Sequence, residues 1–192
     1  LDLDIGGGST ELILADSTDA RALTSTKIGA VRLQREFIKK DPLSSDNLLF
    51  LRSFIRGSME AAIDKIYKRI ELNEKPVLVA TSGTAMAIGA LISNKENNIQ
   101  TKLQGYKISK RSLDRAIDDL LKMSPSERCN LPTLSERRAE IIVPGALILQ
   151  MVMNMFNINE LILSERALRE GLVVDWMCRN NYLQDRLSFQ GS

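Results

Sequence analysis

The N-terminal part of the chain alternates between apolar and polar positions, which is the pattern of half-buried β-strands. Leu1, Leu3 and Ile5 alternate with two aspartates, and a second apolar stretch, "LILA", follows shortly after. The glycine-rich segment between these runs predicts a hairpin connection. A third strand is expected over residues 21–27, after the polar turn "DSTDA". The pattern therefore predicts three strands before the first helix.

Helical spacing dominates the middle of the chain. The first helix is predicted to follow Pro42, because apolar residues recur at helical intervals between Leu51 and Ile70, and it ends before Pro76. Residues 77–80, "VLVA", predict a short buried strand. This strand leads through the loop "TSGTA" into a second helix.

The C-terminal half continues this alternation of strands and helices. A strand is expected at residues 106–108, and a helix over residues 110–123. Residues 135–156 predict a further helix, which Pro144 is expected to kink or divide. The apolar run "LILS" predicts the last buried strand, and residues 165–179 predict the last helix.

The predicted order starts as βββαβαβα, which favours an α/β fold with a mixed sheet. An antiparallel meander would be extended by parallel βαβ units, with helices on both faces. The 192 residues suffice for one domain with a sizeable core, and we place it at residues 1–180. The polar stretch over residues 93–133 is the best candidate for a peripheral insertion, and residues 181–192 form a tail.

The composition excludes several classes of function. The sequence has no histidine, which excludes Ser-His-Asp and Cys-His catalysis and H-E-x-x-H zinc sites. The net charge of +2 is not the strongly basic balance of nucleic-acid-binding proteins. Cys129 and Cys178 form no C-x-x-C pattern, so a reducing cytoplasm is the expected setting. No apolar run approaches the roughly 18 to 20 residues that span a bilayer. We therefore expect neither nucleic acid nor membrane as a partner.

The segment "DIGGGSTE" carries the best candidate chemistry. It fits neither a dinucleotide fingerprint, which leads into a helix, nor a P-loop, which needs a lysine after its last glycine. A hairpin connection can nevertheless bind an anion through successive backbone amides, since glycine lets a ligand approach the backbone closely. The residues of this connection are Gly6, Gly7, Gly8, Ser9 and Thr10. A flexible glycine hairpin between two solvated acids would explain the same residues without a ligand.

A carboxylate lies on each side of this connection. Asp4 ends the incoming strand, and its charge would repel a bound phosphate unless a cation intervened. It is better interpreted as a direct or water-mediated ligand of magnesium. Glu11 begins the outgoing strand, where it could orient an attacking water. Phosphoryl transfer needs charge neutralisation and positioning more than covalent chemistry, in keeping with a sequence that has no histidine.

The chain resembles a known family at several motifs. "DIGGGSTEL" resembles the second phosphate-binding motif of the exopolyphosphatase and guanosine pentaphosphate phosphatase family, within the actin-like (ribonuclease H-like) ATPase superfamily. "IGAVRLQREF", "TSGTAMAIGAL", "ERRAEIIVPGALIL" and "LILSERALREG" match in the same order, over residues 1–176. The resemblance implies a second actin-like domain. It also implies that Asp4 contributes to a metal site, that the glycine-hydroxyl turn holds phosphate, and that Glu11 lies near the attacking water.

Two further motifs add candidate phosphate ligands. Arg32 falls where the family pattern also carries arginine, and its guanidinium could grip a phosphate bidentately. The alternative is an exposed arginine near a strand end. The loop "TSGTA" opens a helix, so the amides of Gly83 and Thr84 could bind an anion at the helix N-terminus. Thr81 or Ser82 could instead act as an ordinary helix cap.

The resemblance implies hydrolysis of terminal phosphates of inorganic polyphosphate or guanosine pentaphosphate, with Mg²⁺ or another divalent cation as cofactor. In the family, a first actin-like domain supplies another phosphate loop and the general base. The sequence starts at Leu1 without either, so we expect weak or no hydrolysis by this chain alone, with that domain as its partner. A non-hydrolysing module that binds guanosine tetraphosphate or another nucleotide, and an actin-like kinase or chaperone ATPase, remain alternatives. A homodimer is left open.

Overall fold

The computed structural model describes residues 1–16, 19–96 and 102–166, together with Met177. Within them, the strands of one mixed sheet are Asp2–Ile5 (β1), Thr10–Ala15 (β2), Ala20–Thr26 (β3), Leu78–Ala80 (β4), Lys107–Ser109 (β5) and Glu160–Leu163 (β6). Their order across the sheet is β3-β2-β1-β4-β6-β5. β1, β2 and β3 form an antiparallel meander, whereas β4 and β6 extend the sheet in parallel with β1. β5 completes the edge antiparallel to β6.

Helices pack against this sheet. In the described residues they are Ala30–Phe37 (α1), Ser45–Tyr67 (α2), Gly83–Lys95 (α3), Lys110–Lys122 (α4), Pro125–Cys129 (α5) and Glu136–Met155 (α6). Serine side chains at the N-caps of α2 to α5 each accept a hydrogen bond from a backbone amide three residues further on. Such caps satisfy one of the amides that a helix start leaves unpaired. α1 has no side-chain cap, because its N-cap residue is Gly29.

The two faces of the β1–β2 hairpin differ in character. Leu3 and Leu12 are fully buried, whereas Asp4 and Glu11, at the alternate positions, are only partly buried. The apolar side chains belong to one core that α2, α3 and α6 complete. Each fully buried leucine stabilises the fold by about 1.5–3 kcal/mol relative to an exposed one. The strand period of two therefore directs leucines to the core and carboxylates to the opposite face.

Helix α1 is absent from the sequence-based prediction, which placed the first helix after Pro42. The helix is short, and its N-cap residue, Gly29, provides no side-chain cap, so it lacks the usual start signal. Its buried residues are Ala30 and Leu33, and it packs against α6. Tertiary contacts thus stabilise a segment whose own sequence signal is weak. One consequence is that Arg32 lies on a helix.

Helix α6 forms the centre of the core. It runs without interruption from Glu136 to Met155 through Pro144, so of the two effects expected of this proline, a kink or a division, the division is wrong. By length and composition alone, α6 is apolar enough to cross a bilayer, but 61% of that stretch is buried within the structure. The core helix of a folded domain has this same character.

The segment proposed as a peripheral insertion, residues 93–133, contains β5 and α4. β5 pairs with β6 at the sheet edge opposite β3, and α4 packs against α6. Ile108, Leu113 and Ile117 are buried there. The predicted last helix lies almost entirely outside the described residues, and the predicted tail lies wholly outside them.

Candidate functional site

The predicted site residues gather at the C-terminal ends of the neighbouring parallel strands β1 and β4. The glycine connection leaves β1 at Gly6, and the segment that begins α3 leaves β4 at Thr81. The amide of Thr81 donates to the carbonyl of Leu3 at 3.0 Å, so both segments leave the sheet side by side. In α/β sheets, ligands bind outside the carboxyl ends of parallel strands. The topology therefore brings two separate sequence motifs to one edge.

The glycine connection is a four-residue turn packed onto the start of α1. The Gly6 amide donates to the Ser9 carbonyl at 2.8 Å, which closes the turn. The amides of Ala30 and Arg32 donate to the carbonyls of Gly6 and Gly7, each at 3.0 Å. Because the carbonyl groups face α1, they are satisfied by the amides that a helix start leaves unpaired.

Unlike the carbonyl groups of this turn, most of its amides have no hydrogen-bond partner in the described part of the chain. Among the described residues, those of Gly7, Gly8 and Ser9 have no hydrogen-bond acceptor. Gly7 and Gly8 are exposed, and Ser9 is partly so. Unpaired successive amides at a turn are the donors of an anion-binding nest. The turn therefore has three backbone donors that no described group of the protein uses.

The glycines of this region are required for different reasons. Gly29 has a φ of −153°, which any residue adopts, but a Cβ there would lie 2.5 Å from the Gly7 backbone. The close approach of α1 to the turn thus requires glycine at position 29. A Cβ at Gly7 would lie 3.2 Å from the Val31 side chain, whereas one at Gly8 would meet no atom within 4 Å. Since Gly8 has no left-handed φ, neither conformation nor packing explains why it is glycine.

Acidic side chains lie beside the turn on the partly exposed face of the sheet. Asp4 and Glu11 are directly opposite each other in the β1–β2 pair. Burial, and then the charge of Glu11, raise the pKa of Asp4. Burial and the charge of Asp4 likewise raise the pKa of Asp2, which lies on the same face. The hydroxyl of Ser25, on β3, donates to Glu11 Oε1 at 2.7 Å and holds that carboxylate. A cation would relieve this concentration of negative charge.

The two hydroxyl groups of the motif have different environments. Thr10 is buried, and its Oγ1 donates to the carbonyl of Ile28 at 2.8 Å. Its proton therefore fastens β2 to the segment before α1 and is not available to a ligand in this arrangement. Ser9 is partly exposed, and its hydroxyl has no partner among the described side chains and backbone groups.

Arg32 lies beside the turn, but its guanidinium is already engaged. Its Nε donates to Glu36 Oε1 at 2.9 Å, and its Nη1 donates to the carbonyl of Lys27 at 2.7 Å. A bidentate grip on phosphate would require release of at least one of these bonds. The side chain is 41% exposed, so such a change is sterically open.

The start of α3 combines a cap with free amides. Ser82 accepts from the amide of Ala85 at 3.0 Å, so the capping interpretation holds for Ser82. Within the described chain, the amides of Gly83 and Thr84 have no acceptor. Capping and anion binding are thus compatible here, because Ser82 occupies only one donor.

Arg138 is a site neighbour that sequence reasoning did not assign. It comes from the first turn of α6, and its Nη1 donates to the carbonyl of Gly83. A Cβ at Gly83 would lie 2.8 Å from this guanidinium. Arg138 therefore brings a positive charge to the α3 start. The "ERR" motif gives no signal for this contact, because 55 residues separate the partners.

Comparisons with known proteins give a consistent result. Residues 1–180 match the model of the Ppx/GppA phosphatase family. Exopolyphosphatase 1 of Mycobacterium leprae is 29% identical over 174 residues, which cover 91% of this chain and 50% of that protein. The guanosine-5'-triphosphate,3'-diphosphate pyrophosphatase of Vibrio vulnificus is 29% identical over 178 residues, covering 91% of this chain and 33% of that protein. The chain thus spans half or less of the length of these relatives.

A solved structure supports the same fold. The crystal structure of the Ppx/GppA family member of Aquifex aeolicus superposes with a TM-score of 0.79 at 27% identity. The superposition covers 94% of this chain and 56% of that one. The predicted fold, an actin-like α/β domain with a mixed sheet and flanking helices, is confirmed.

Proposed function

We propose, from the premise that the chain belongs to the Ppx/GppA phosphatase family, that it is one domain of a phosphohydrolase. Its substrate class is a chain of linked phosphates, inorganic polyphosphate or guanosine pentaphosphate. The names of the Mycobacterium leprae and Vibrio vulnificus relatives support these two substrates. The observation that carries the proposal is the set of unpaired turn amides at Gly7, Gly8 and Ser9, beside Asp4.

The terminal phosphate is proposed to bind at the glycine turn. The unpaired amides would donate to its oxygens, and such bonds to a charged acceptor are stronger than neutral ones. The absence of a side chain at Gly8 supports this binding mode, because it leaves the backbone open to a close ligand. The start of α3, with its free amides and Arg138, would provide a second positive region at the same sheet edge.

The residues present fit a magnesium ion. Magnesium is usually held by one or two carboxylates together with water and phosphate oxygens. Asp4 supplies one carboxylate, and its raised pKa reflects burial and the nearby charge of Glu11, both of which an adjacent cation would offset. Within the described part of the chain, no group of three acidic, cysteine or histidine side chains is arranged so that it could hold a metal ion by itself. Asp4 would therefore share the ion with the substrate, and the ion would neutralise charge on the phosphate oxygens.

Glu11 is proposed to orient the attacking water. Its Oε1 is fixed by Ser25, which leaves the second oxygen to accept a hydrogen bond from water. The water oxygen forms a bond to the terminal phosphorus while the bond to the bridging oxygen breaks, and its electron pair remains on the shortened phosphate chain. The base that receives the water's proton is proposed to belong to a first actin-like domain. This partner would account for the additional length of the relatives.

The test is release of orthophosphate from polyphosphate and from guanosine pentaphosphate by the natural protein that contains these residues. Asp4→Asn and Glu11→Gln should each lower kcat by roughly 100-fold or more with magnesium present. Glu60→Gln changes an exposed glutamate on α2 and serves as the matched control. Absence of release from both substrates, or full activity of Glu11→Gln, would contradict the proposal. Nucleotide binding without release would support a non-hydrolysing module.

A further inference from the structure

A groove runs from the glycine turn along the outer surface of α1. Its volume is about 370 Å³, and its lining residues are Gly7, Gly8, Val31, Arg32, Arg35 and Glu36. Two of these residues carry unpaired amides of the proposed phosphate site. The other four come from successive turns of one helix. The groove is therefore continuous with the site that would hold the terminal phosphate.

Some of the charged side chains along this groove form ion pairs with other described residues, and others do not. Arg32 is paired with Glu36 at 2.9 Å, so these two charges largely neutralise each other. Arg35 is exposed, and its guanidinium has no hydrogen-bond or ion-pair partner among the described residues. The amine of Lys39, one turn further, donates to the carbonyl of Arg35 at 2.6 Å. The groove thus has uncompensated positive charge on the side away from the turn.

Arg35 contributes little to the stability of the fold. Its side chain packs into no core cluster and makes no described polar contact. Its position in the last turn of α1 favours a cation through the helix dipole, by about 0.3–1 kcal/mol. A lysine at position 35 would give the same helix-dipole stabilisation, so this effect explains neither the arginine nor its position in the groove. A guanidinium that lines the same groove as free amides, by contrast, can bind the oxygens of a linked phosphate in pairs.

We propose that this groove holds the phosphate group next to the terminal one, with Arg35 as the cation that contacts it. The inference rests on the proposed function, because it places a second phosphate beside the first. It makes Arg35 a specificity-determining residue: it favours linked phosphates over single phosphate ions. The chemistry recognised is a phosphate joined through an anhydride oxygen to the terminal phosphate, which polyphosphate and nucleoside triphosphates share.

The experiment compares ligands of increasing length on the same chain. Isothermal titration calorimetry at fixed ionic strength measures the Kd of orthophosphate, pyrophosphate, tripolyphosphate and guanosine triphosphate. Arg35→Gln should raise the Kd of tripolyphosphate roughly fivefold to tenfold, since one hydrogen-bonded charge pair is lost. The Kd of orthophosphate should stay within about twofold, because only long-range charge is removed. Arg35→Lys should show an intermediate loss, since lysine cannot bind bidentately.

The matched control is Arg69→Gln. Arg69 is an exposed arginine in the turn after α2, which leads to the opposite end of β4, and its guanidinium has no described partner. Arg69→Gln should leave the Kd of orthophosphate and the Kd of tripolyphosphate unchanged. This result would show that an effect of Arg35→Gln comes from the groove and not from the loss of one positive charge anywhere on the chain. Thermal unfolding by circular dichroism should give Arg35→Gln a Tm within about 4 °C of the parent chain, because only the small helix-dipole contribution is lost.

The outcomes distinguish this inference from the function on which it rests. Equal weakening of orthophosphate and tripolyphosphate, or no weakening of either, would overturn the role of Arg35 while leaving the glycine turn as the site. Failure of the parent chain to bind any of these ligands would overturn both. A loss for tripolyphosphate but not guanosine triphosphate would assign the groove to polyphosphate. Equal losses would assign it to the shared phosphate chain.

Discussion

The described part of the chain has two groups of unpaired backbone amides at one sheet edge, at the glycine turn beside α1 and at the start of α3, and the two are built differently. At the first, the turn's carbonyls satisfy amides of α1, and its own amides remain free. At the second, the Ser82 hydroxyl satisfies one amide, and Arg138 contacts the Gly83 carbonyl. The glycine turn therefore depends on close backbone packing, whereas the α3 start depends on side-chain contacts.

Because of this difference, the residues that stabilise the fold and the residues that would bind phosphate are different ones in each region. Backbone packing at Gly29 is intolerant of any side chain, because a Cβ there would lie 2.5 Å from the backbone nitrogen of Gly8, whereas a Cβ at Gly8 would meet no atom within 4 Å. At the α3 start, the residue that stabilises the helix, Ser82, does so through its hydroxyl, which a single substitution removes. Substitutions at the two regions should therefore divide into those that affect stability and those that affect phosphate binding.

The largest effect is expected for Gly29→Ala. The added methyl group would lie 2.5 Å from the Gly7 backbone, so α1 and the turn must move apart. Overpacking of this kind destabilises by about 1–3 kcal/mol. Urea unfolding should show this loss, and calorimetry should show loss of phosphate binding, because the turn amides are displaced.

The matched control for that substitution is Gly57→Ala. Gly57 lies inside α2, and a Cβ there would meet no atom within 4 Å. Alanine should stabilise this helix by about 0.5–1 kcal/mol without changing phosphate binding. Equal stability of Gly29→Ala and the parent chain would show that the turn does not depend on close packing.

Gly8→Ala should separate binding from stability at the same turn. The methyl group clashes with no protein atom, so the free energy of unfolding should be unchanged or slightly higher. It would, however, occupy space where a phosphate approaches the amides of Gly7 and Ser9. We expect the Kd of orthophosphate to rise roughly tenfold, which corresponds to about 1.4 kcal/mol. Unchanged binding in calorimetry would argue against the turn as the site.

Ser82→Ala should give the reverse result at the α3 start. The substitution removes the hydroxyl that accepts from Ala85, and loss of such a cap typically destabilises by about 1 kcal/mol. The free amides of Gly83 and Thr84 stay in place, so orthophosphate binding should change by less than about twofold. Urea unfolding and calorimetry together measure both quantities. A large loss of binding would mean that the cap itself positions the ligand.

The sequence predicts the strand meander well because its signal is local. Leu1, Leu3 and Ile5 alternate with acids, and each of the three strands lies within a residue or so of its predicted position. The sequence-based prediction misses α1. The start of this helix packs closely, at Gly29, against the turn at Gly7 and Gly8, which lies much earlier in the chain. No local pattern reports such a contact.

The candidate site shows the same limit. Asp4, Glu11 and the glycine turn are neighbours in sequence, so the motif itself brings them together. Whether they bind phosphate and metal stays a prediction. Arg35 lines the groove beside the glycine turn, and Arg138 contacts the Gly83 carbonyl, only because of the packing of α1 and α6, and the sequence spacing of these arginines does not indicate either placement. The sequence therefore does not predict which positively charged side chains the packing of distant helices brings close to the candidate site.

The smallest effect concerns the negative charge of Asp4 beside the glycine turn, whereas the charge at the α3 start is the positive one of Arg138. The pKa of Asp4 is raised by burial and by Glu11, so the folded state holds this proton more tightly than the unfolded chain does. Stability should therefore fall as pH rises from the ordinary aspartate pKa of 3.8 through the raised value of the folded state. Asp4→Asn should remove this part of the slope and raise Tm slightly at neutral pH. Added magnesium should raise the Tm of the parent chain but not that of Asp4→Asn, and scanning calorimetry at several pH values measures both. An equal magnesium effect on the two chains would place the cation away from Asp4, because a ligand raises stability only through the folded state that binds it.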